Sequence, residues 1–520
     1  MILPALVATL AAAAPPSCSP LLPAAIGSAA EDLARIQELT GVAPVRPQLF
    51  RRWSNPEGGF VCTGGRAPHP SEVPQVAADP DSFEVRLLPL EWRNYLNSGY
   101  PDDRNDGALW EGRGISTGLT GGVRVRWKFF SAGFAPLVAW QQNRDFYRAP
   151  MTTPGYSQYA NPFNYGAIDL PLRFGPDAFW TLDPGQSFAR VDLYNVALGV
   201  STENLWWGPG LRNSILMTNS GPGFPHLFVG TSRPQDIWIG WLEVQLMWGR
   251  LTQSDYFLTD PVRTRRVFSA LIIGYEPRWI PGLFLGLTRV FVDRLPSRVK
   301  GIEYVARLFW NESTGHNGPE NQLGSLMLRW VFPDSGLEIF GEWGRDDYSL
   351  NLQDFVDQPE HAQAYMFGLQ KTFGVPARIR LHAELAHTLE KPTNNPTRPV
   401  PIFYAHSDEI HGYTQRGQMI GAGIGPQADS EFLAVDYFHR GGRTGVWIER
   451  ILHDDRYFYD NVHTFLGQDA ELAVGLRGAL QWRDLALDWS LAFAHRYRFN
   501  FGDDANSLKT LISLSWTPAF

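Results

Sequence analysis

The final segment of the chain, Leu508 to Phe520, reads LKTLISLSWTPAF, and its period of two constrains the fold more than any other feature. Counting back from Phe520 gives Pro518, Trp516, Leu514, Ile512, Thr510 and Leu508, an almost wholly apolar face with a terminal aromatic. That is the pattern of a lipid-facing outer-membrane strand. A strand closing a soluble β-domain shares it over a single segment, so recurrence decides between the two. Val123, Val125, Trp127 and Phe129 alternate with Arg124, Arg126 and Lys128. From Ala377 to Leu385, apolar residues alternate with Arg378, Arg380, His382 and Glu384. Leu485, Leu487, Trp489, Leu491 and Phe493 alternate with Asp484, Asp488 and Ser490. A soluble sandwich rarely turns so many charges inward, whereas a membrane barrel sets one face against lipid and the other against a polar lumen. The expected fold is therefore all-β, a transmembrane antiparallel barrel. Glu84 to Arg93 and Ser187 to Val200 break the phase and read as bulges or as strands leaving the membrane.

Composition agrees. The 520 residues have a mean hydropathy of -0.21, and beyond the N-terminus there is no apolar run of about 20 residues, the length a spanning helix needs. The 19 Trp, 18 Tyr and 32 Phe fall largely near expected strand ends, where interfacial girdles belong. MILPALVATLAAAAPP, with small residues at Ala11 and Ala13, reads as an export signal over residues 1–19, although it lacks a basic n-region. A lipoprotein signal at Cys18 is a minor alternative, since Pro15 and Pro16 precede it. If cleavage leaves Cys18 in place, an oxidising periplasm allows a Cys18–Cys62 disulfide. Two cysteines argue against a Cys-based zinc site, and no cofactor or metal is expected.

Residues 20–82 form an N-terminal segment, expected to plug the barrel or to serve as a flexible leader. Within it Ser28 is a candidate N-cap, Leu33, Ile36 and Leu39 are at helical spacing, and Gly41 is a stop. The barrel occupies 83–520. Strands are expected near 508–520, 485–498, 469–480, 444–453, 430–439, 377–388, 362–373, 336–345, 322–332, 283–293, 265–275 and 237–249. Less regular ones lie near 83–96, 118–130, 134–141, 166–174 and 187–200, for an even total of about 16 to 18. Short links at Pro333, Gly374, Arg440 and Gln481 alternate with long ones at 294–321, 346–361, 389–429 and 454–468, matching short periplasmic turns and long external loops.

Two stretches depart from generic barrel. Leu205 to Phe228 pairs Trp206 with Trp207 before Gly208-Pro209-Gly210, then brings Arg212, Asn213 and Asn219 around a second Gly/Pro turn. His411 to Ser430 places His411, Tyr413 and Arg416 ahead of closely spaced glycines. In order and spacing, the WWGPG turn and the GYTQRGQMIG segment resemble outer-membrane capsule-assembly proteins of the Wzi type. The resemblance implies an 18-stranded barrel closed by an N-terminal helical plug and by loops, acting as a lectin that holds capsular polysaccharide on the surface of a Gram-negative-type bacterium. One clear helix is visible here where the family suggests a small bundle.

The side chains of these stretches are compatible with that function. Indoles stack on sugar rings, and Arg, Asn and Tyr groups bind hydroxyls and carboxylates. Trp206, Trp207, Arg212, His411, Tyr413 and Arg416 are thus the candidate polysaccharide-binding residues. A purely structural role is equally open, with the Trp pair anchoring a strand end and Arg416 meeting a lumen carboxylate. Alternating connections place 389–429 outside but 201–235 on the periplasmic side, unless a strand lies within Asn213 to Thr218. The net charge of -8 opposes long-range attraction to an acidic polymer. Arg124, Arg126, Lys128, Arg378 and Arg380 either make a positive region in the bore or pair with Glu342, Glu384, Glu471 and Asp488. The expected partners are polysaccharide, outer-membrane lipid and the barrel-assembly machinery acting on the strand ending at Phe520, with no nucleic acid. A passive porin is the main alternative. A hydrolase built on His406, Ser407, Asp408, Glu409 and His411 ranks lower, because adjacent side chains seldom converge on one reacting atom.

Overall fold

The computed structural model describes residues 17–20, 26–54, 60–63, 83–164, 166–259, 265–295, 320–346, 356–374, 378–389, 402–439, 441–462 and 467–517. Eighteen antiparallel strands close into one barrel, three of them interrupted. In chain order these are β1 (Phe83–Asn97), β2 (Gly114–Trp127), β3 (Phe130–Phe134 and Leu137–Gln141), β4 (Phe179–Asp183 and Phe188–Leu193), β5 (Val196–Ser201) and β6 (His226–Thr231 and Gln235–Asp236). There follow β7 (Gly240–Thr252), β8 (Arg265–Pro277), β9 (Leu283–Leu295), β10 (Asn321–Phe332), β11 (Leu337–Asp346) and β12 (Gln363–Phe373). The last six are β13 (Ile379–His387), β14 (Asp429–His439), β15 (Gly442–His453), β16 (Asp469–Trp482), β17 (Leu485–Tyr497) and β18 (Ala505–Trp516). Each strand pairs with the next, and β18 closes onto β1, with Lys509 opposite Asn97 and Trp516 opposite Leu90.

The period of two becomes an inside and an outside. On β18, Leu508, Ile512, Leu514 and Trp516 are exposed, while Ser507, Lys509 and Ser513 are buried in the bore. Trp127, Trp238, Trp279, Trp482 and Trp516 are exposed around the short-turn end, as an interfacial girdle requires. By the usual asymmetry of such barrels this end is periplasmic and the long-loop end external. Residues 518–520, with the terminal aromatic, lie outside the described residues, as do residues 1–16 of the expected export signal. Cys18 and Cys62 are register partners in a two-stranded sheet.

The phase breaks have distinct causes. In β1 the register shifts between Leu88 and Glu91, a bulge. Ser187 to Val200 is instead two strands, β4 and β5, reversed at Tyr194 and Asn195, both at positive φ. The strand expected near 166–174 does not form; that stretch is a connection folded against other loops. The strand missing from the sequence map is β6, which is short and interrupted. It restores the alternation, so the 202–225 connection lies at the external end together with 402–428.

The bore is filled, and one wall of it is apolar rather than polar. Met247, Phe268, Ile272, Phe284, Met327, Phe340 and Met366 point inward from β7 to β12 and form one buried cluster with Trp207, Ile215, Leu216, Tyr404, Tyr413 and Ile420 of the inserted loops. A lumen packed with protein obeys core rules, so a polar inner face is unnecessary there.

The periplasmic end is occupied by α1 (Ala29–Leu39), capped by Ser28, whose side chain accepts from the Glu31 N–H at 3.3 Å. Ile36 and Leu39 pack against Val331, while Leu33 is exposed. Charge fixes the helix to the wall. Glu338 of β11 binds Arg35 of α1 and also Arg329 of β10 at 2.7 Å, and Arg329 reaches Glu38 of α1 at 3.2 Å. Asp32 binds Arg380 and Arg443, and Arg380 and Arg477 share Asp436 at 2.7 and 2.8 Å. Of the basic residues expected to line the bore, Arg380 thus pairs with Asp32 and Asp436. Arg378 lies just before β13, and Lys128 sits in the β2–β3 turn at positive φ over the Trp127 ring. Arg124 and Arg126 face inward with no hydrogen-bond or ion-pair partner among the described residues. Replacing Glu338 with alanine leaves the buried Arg35 guanidinium without its carboxylate and Arg329 with Glu38 alone, at a cost of about 3–5 kcal/mol. The expected outcome is a lowered unfolding midpoint in detergent together with raised conductance in planar bilayers; unchanged values of both would show that this carboxylate does not retain the plug.

Candidate functional site

The Trp206–Trp207 stretch enters the bore as a short strand, Leu205–Trp207, paired antiparallel with Phe50–Arg52 of the N-terminal segment. The Arg51 guanidinium lies 4.5 Å over the Trp206 ring, and Phe50 meets Trp207 edge-on at 6.3 Å. Both indoles are buried, with no ring face open to solvent. The turn that follows needs glycine. Gly208 has φ +138°, and a Cβ there would sit 2.1 Å from Ser214 Oγ; at Gly210 it would sit 1.8 Å from the Asn213 carbonyl.

Two wall carboxylates hold this turn. Glu384 of β13 accepts from the backbone N–H groups of Leu211, Arg212 and Asn213 at 2.9, 3.1 and 2.7 Å. Glu342 of β11 accepts from Ser214 Oγ at 2.7 Å and the Ile215 N–H at 2.8 Å. The arginines set against these two residues in the sequence therefore do not pair with them. Arg212 forms a bidentate contact with Glu449 of β15 at 2.9 and 2.8 Å and stacks 4.2 Å over Phe432. Its side chain keeps 28% exposure.

The second stretch packs on the first. Tyr404 and Tyr413 are stacked at 5.8 Å and donate to the Ile215 and Leu216 carbonyls at 2.6 and 2.9 Å. Thr218 N–H donates to Ile420 O at 2.8 Å, and Arg266 of β8 donates to the carbonyls of Gly412 and Thr414. His411 has both ring nitrogens engaged, Nδ1 with Glu409 at 2.6 Å and Nε2 with Gln253 at 3.0 Å. Neither nitrogen is left to activate a serine. Burial disfavours the charged form of Glu409, but its hydrogen bond to His411, with Arg266 nearby, outweighs that and holds its carboxyl below the usual range. Arg416 sits at positive φ, contacts Asp183 of β4 and retains 37% side-chain exposure. The structure thus brings the two stretches together inside the barrel. Trp206, Trp207, His411 and Tyr413 lie in its packed interior, and Arg212 and Arg416 are partly open.

A cleft of about 140 Å³ lies at the external end, lined by the 101–104 and 423–426 loops, Asn161, Asp454, Arg496 and Asn500. Phe146 and Phe499, both nearly buried, are among its lining residues 6.1 Å apart, with Arg496 4.8 Å over Phe499. Arg104 bridges Asp102 and Glu449 at 2.7 and 2.9 Å, so Glu449 joins the cleft to Arg212. Lys509 pairs with Glu471 at 2.6 Å and Asp102 at 3.1 Å. Burial raises the Asp103, Asp106 and Glu111 carboxyls, and burial together with Asp469 pushes Asp454 up to about 7. Sequence reasoning missed this cleft because its residues come from separate connections. Their only shared signal is a run of charges at 102–106.

The model of the family described as capsule assembly protein Wzi matches residues 111–445 of the sequence. The chain belongs to the Wzi family. Among solved structures it is similar to Escherichia coli Wzi, with 13% identity over 83% of this chain and 85% of that one and a TM-score of 0.57. That protein is described as an outer-membrane protein involved in group 1 capsule assembly and as a carbohydrate-binding β-barrel. Acinetobacter baumannii OccAB2 is more distant, at 10% identity, 84% and 98% coverage and a TM-score of 0.44. A BenF-like porin from Pseudomonas fluorescens is similarly distant, at 11% identity, 84% and 99% coverage and a TM-score of 0.42. No curated protein matches the sequence. The present chain is an outer-membrane barrel of this family, and its inserted loops pack the bore along β7 to β12.

Two outcomes are expected of this site. Glu384→Ala frees three amides of the 208–214 turn, so limited proteolysis of the folded protein should cut there faster than in the wild type. Asp454 has its folded pKa raised, so it holds its proton more tightly when folded, and its contribution to stability falls as pH rises from its ordinary 3.8 to about 7. Asp454→Asn should therefore raise the denaturant midpoint at pH 7 more than at pH 4. Equal shifts at the two pH values would show that this carboxyl does not carry the effect.

Proposed function

We propose that the protein binds capsular or another surface polysaccharide noncovalently at its external mouth and thereby helps to assemble and retain it at the cell surface. The observation that carries this reading is the family match, which spans both inserted loops and most of the strands they close. The cleft supports it chemically, since aromatic rings beside amides and guanidiniums suit a sugar with hydroxyl and carboxylate groups. The Escherichia coli relative is itself described as carbohydrate-binding.

In this reading the six candidate residues divide their work. Arg212 and Arg416, partly open, contact polymer, while Trp206, Trp207, His411 and Tyr413 hold the loops that shape the mouth. The role is binding rather than catalysis. A passive diffusion pathway is less well supported, because Trp207, Tyr404, Tyr413 and their neighbours fill the bore on the β7–β12 side. The outward aliphatic face takes membrane lipid, and the assembly machinery acts through the final strand.

Deleting the gene and measuring surface polymer in washed cells and in medium tests the proposal. Total polymer should be unchanged, with the fraction in the medium raised several-fold. Wild type should restore retention, and an Asn161→Ala, Arg212→Ala, Arg416→Ala variant should not. An unchanged partition on deletion would sink the attachment role, and open-channel conductance of the wild type would move the porin reading first.

A further inference from the structure

The inner wall of β2, β3 and β4 gathers arginines near the periplasmic end of the bore. Register places Arg126, Ser131 and Arg190 in one row across these strands, with Arg124, Gly133 and Phe188 in the next row inward. At ordinary strand spacing Arg126 and Arg190 stand about 10 Å apart across a serine, and Arg124 stands about 7 Å along the strand from Arg126. The row of Arg190 continues through Gly199 to Phe228, and the Arg52 guanidinium of the N-terminal segment lies 5.4 Å over that ring. Arg190 acts electrostatically on both Arg52 and Arg124, and Arg126 acts on Arg124.

The carboxylates nearby are spent elsewhere. Glu84, opposite Arg126, binds Arg86. Glu203 accepts from the Ser54 N–H at 2.7 Å and from Ser54 Oγ at 2.6 Å. Asp192 takes Nε and Nη2 of Arg190 at 2.9 and 2.6 Å, and with Glu203 and Glu243 it reaches Arg52 only through longer-range attraction. Arg124 and Arg126 therefore have no hydrogen-bond or ion-pair partner among the described residues. Arg190 is fully buried at its side chain, yet its Nη1 has no acceptor. Arg52 donates to Gln245, while its Nε and the Gln245 amide nitrogen are buried without partners. Buried donors left unmade are costly, and an oxyanion supplies acceptors and countercharge together. The site can be reached, since Arg124 and Arg126 keep partial exposure and α1 is anchored across the ring on β10, β11, β13 and β15.

We infer that the β2–β4 inner wall is a phosphate-binding site, with Arg124, Arg126 and Arg190 as ligands and Arg52 adding charge behind them. Phosphate fits better than a carboxylate because it brings about -1.5 to -2 charge and three strong acceptor oxygens to cations that no single carboxylate would neutralise. The phosphate is either free or esterified to a sugar. The site lies at the opposite end of the barrel from the mouth and is independent of the polysaccharide reading.

The test is calorimetric titration of the purified full-length barrel in zwitterionic detergent with inorganic phosphate, glucose 1-phosphate and glucuronate. The Arg124→Gln, Arg126→Gln variant should bind both phosphate probes about tenfold or more weakly, a loss of about 1.4 kcal/mol or more. Arg450→Gln, which removes an arginine paired with Asp429 and Glu431, should bind as the wild type does. Saturating phosphate should raise the unfolding midpoint of the wild type but not of the double variant. Neither replaced side chain has a protein partner to lose, so the double variant should fold; Arg126→Gln alone, expected to weaken binding several-fold, serves if it does not. Tighter binding of the ester than of inorganic phosphate supports a sugar phosphate, and equal binding supports the free ion. Undiminished binding by the variants, glucuronate binding as tightly as phosphate, or no binding of either phosphate probe would overturn the inference.

Discussion

Buried carboxylates on the inner wall are what the rest of the interior depends on. Glu338 and Glu342 on β11, Glu384 on β13, Asp436 on β14 and Glu449 on β15 are nearly or fully buried. An ionised carboxylate removed from water is strongly unfavourable unless donors replace its hydration. The barrel wall supplies only part of them; the plug and the loops supply the rest. Glu338 takes Arg35 of α1, Glu384 takes three loop amides, Glu342 takes Ser214 and Ile215, and Glu449 takes Arg104 and Arg212. Each inserted segment is thereby specified by position as well as by packing.

This division explains why one bore can be apolar on one side and charged on the other. Along β7 to β12 the inserted loops bring Trp207, Ile215, Tyr404 and Tyr413, and the wall answers with Phe, Met and Ile. Toward the two ends, where α1 and the loop backbones arrive with unsatisfied donors, the wall answers with carboxylates. Rigidity at the mouth follows, because the two inserted stretches hydrogen-bond to each other and to the wall rather than to solvent. A preformed mouth loses less entropy on binding a polymer than a mobile one would.

Strand positions were legible where lipid and solvent impose a strict alternation. From β7 onward the expected strands lie within a few residues of the observed ones, as with 485–498 against Leu485–Tyr497. The alternation fails where strands are short or interrupted. Tyr194 and Asn195 reverse the chain inside what reads as one segment, and His226 to Asp236 is too broken to register as a strand. Apolar stretches that fill the bore, such as 166–174, carry the same hydrophobicity as strands without being strands. The two unusual motifs were visible from their Trp-Trp and Gly-Pro-Gly chemistry, and the short helix from its cap and spacing. Their partners were not, because Glu384 bonds to backbone amides, and an amide has no signature in sequence.

Net charge is a poor guide to ligand in such a molecule. Acidic residues in the bore that pair with arginines, such as Glu338, Asp436 and Glu449, contribute to the sum of -8 but project little field beyond a Debye length. The informative charges are those left over. Arg124 and Arg126 inside, and Arg250, Arg265 and Arg289 outside, are cations without a protein counterion among the described residues. Because the two groups face opposite sides of the wall, they belong to different solvents. The inner pair lies near the periplasmic end of the bore, where the Arg124 guanidinium sits 5.7 Å over the Phe188 ring. Of the outer three, Arg250 and Arg265 are exposed, whereas Arg289 is half-buried over the Phe291 ring. Parity along the strand, rather than total charge, therefore sorts which side of the wall each set of arginines faces.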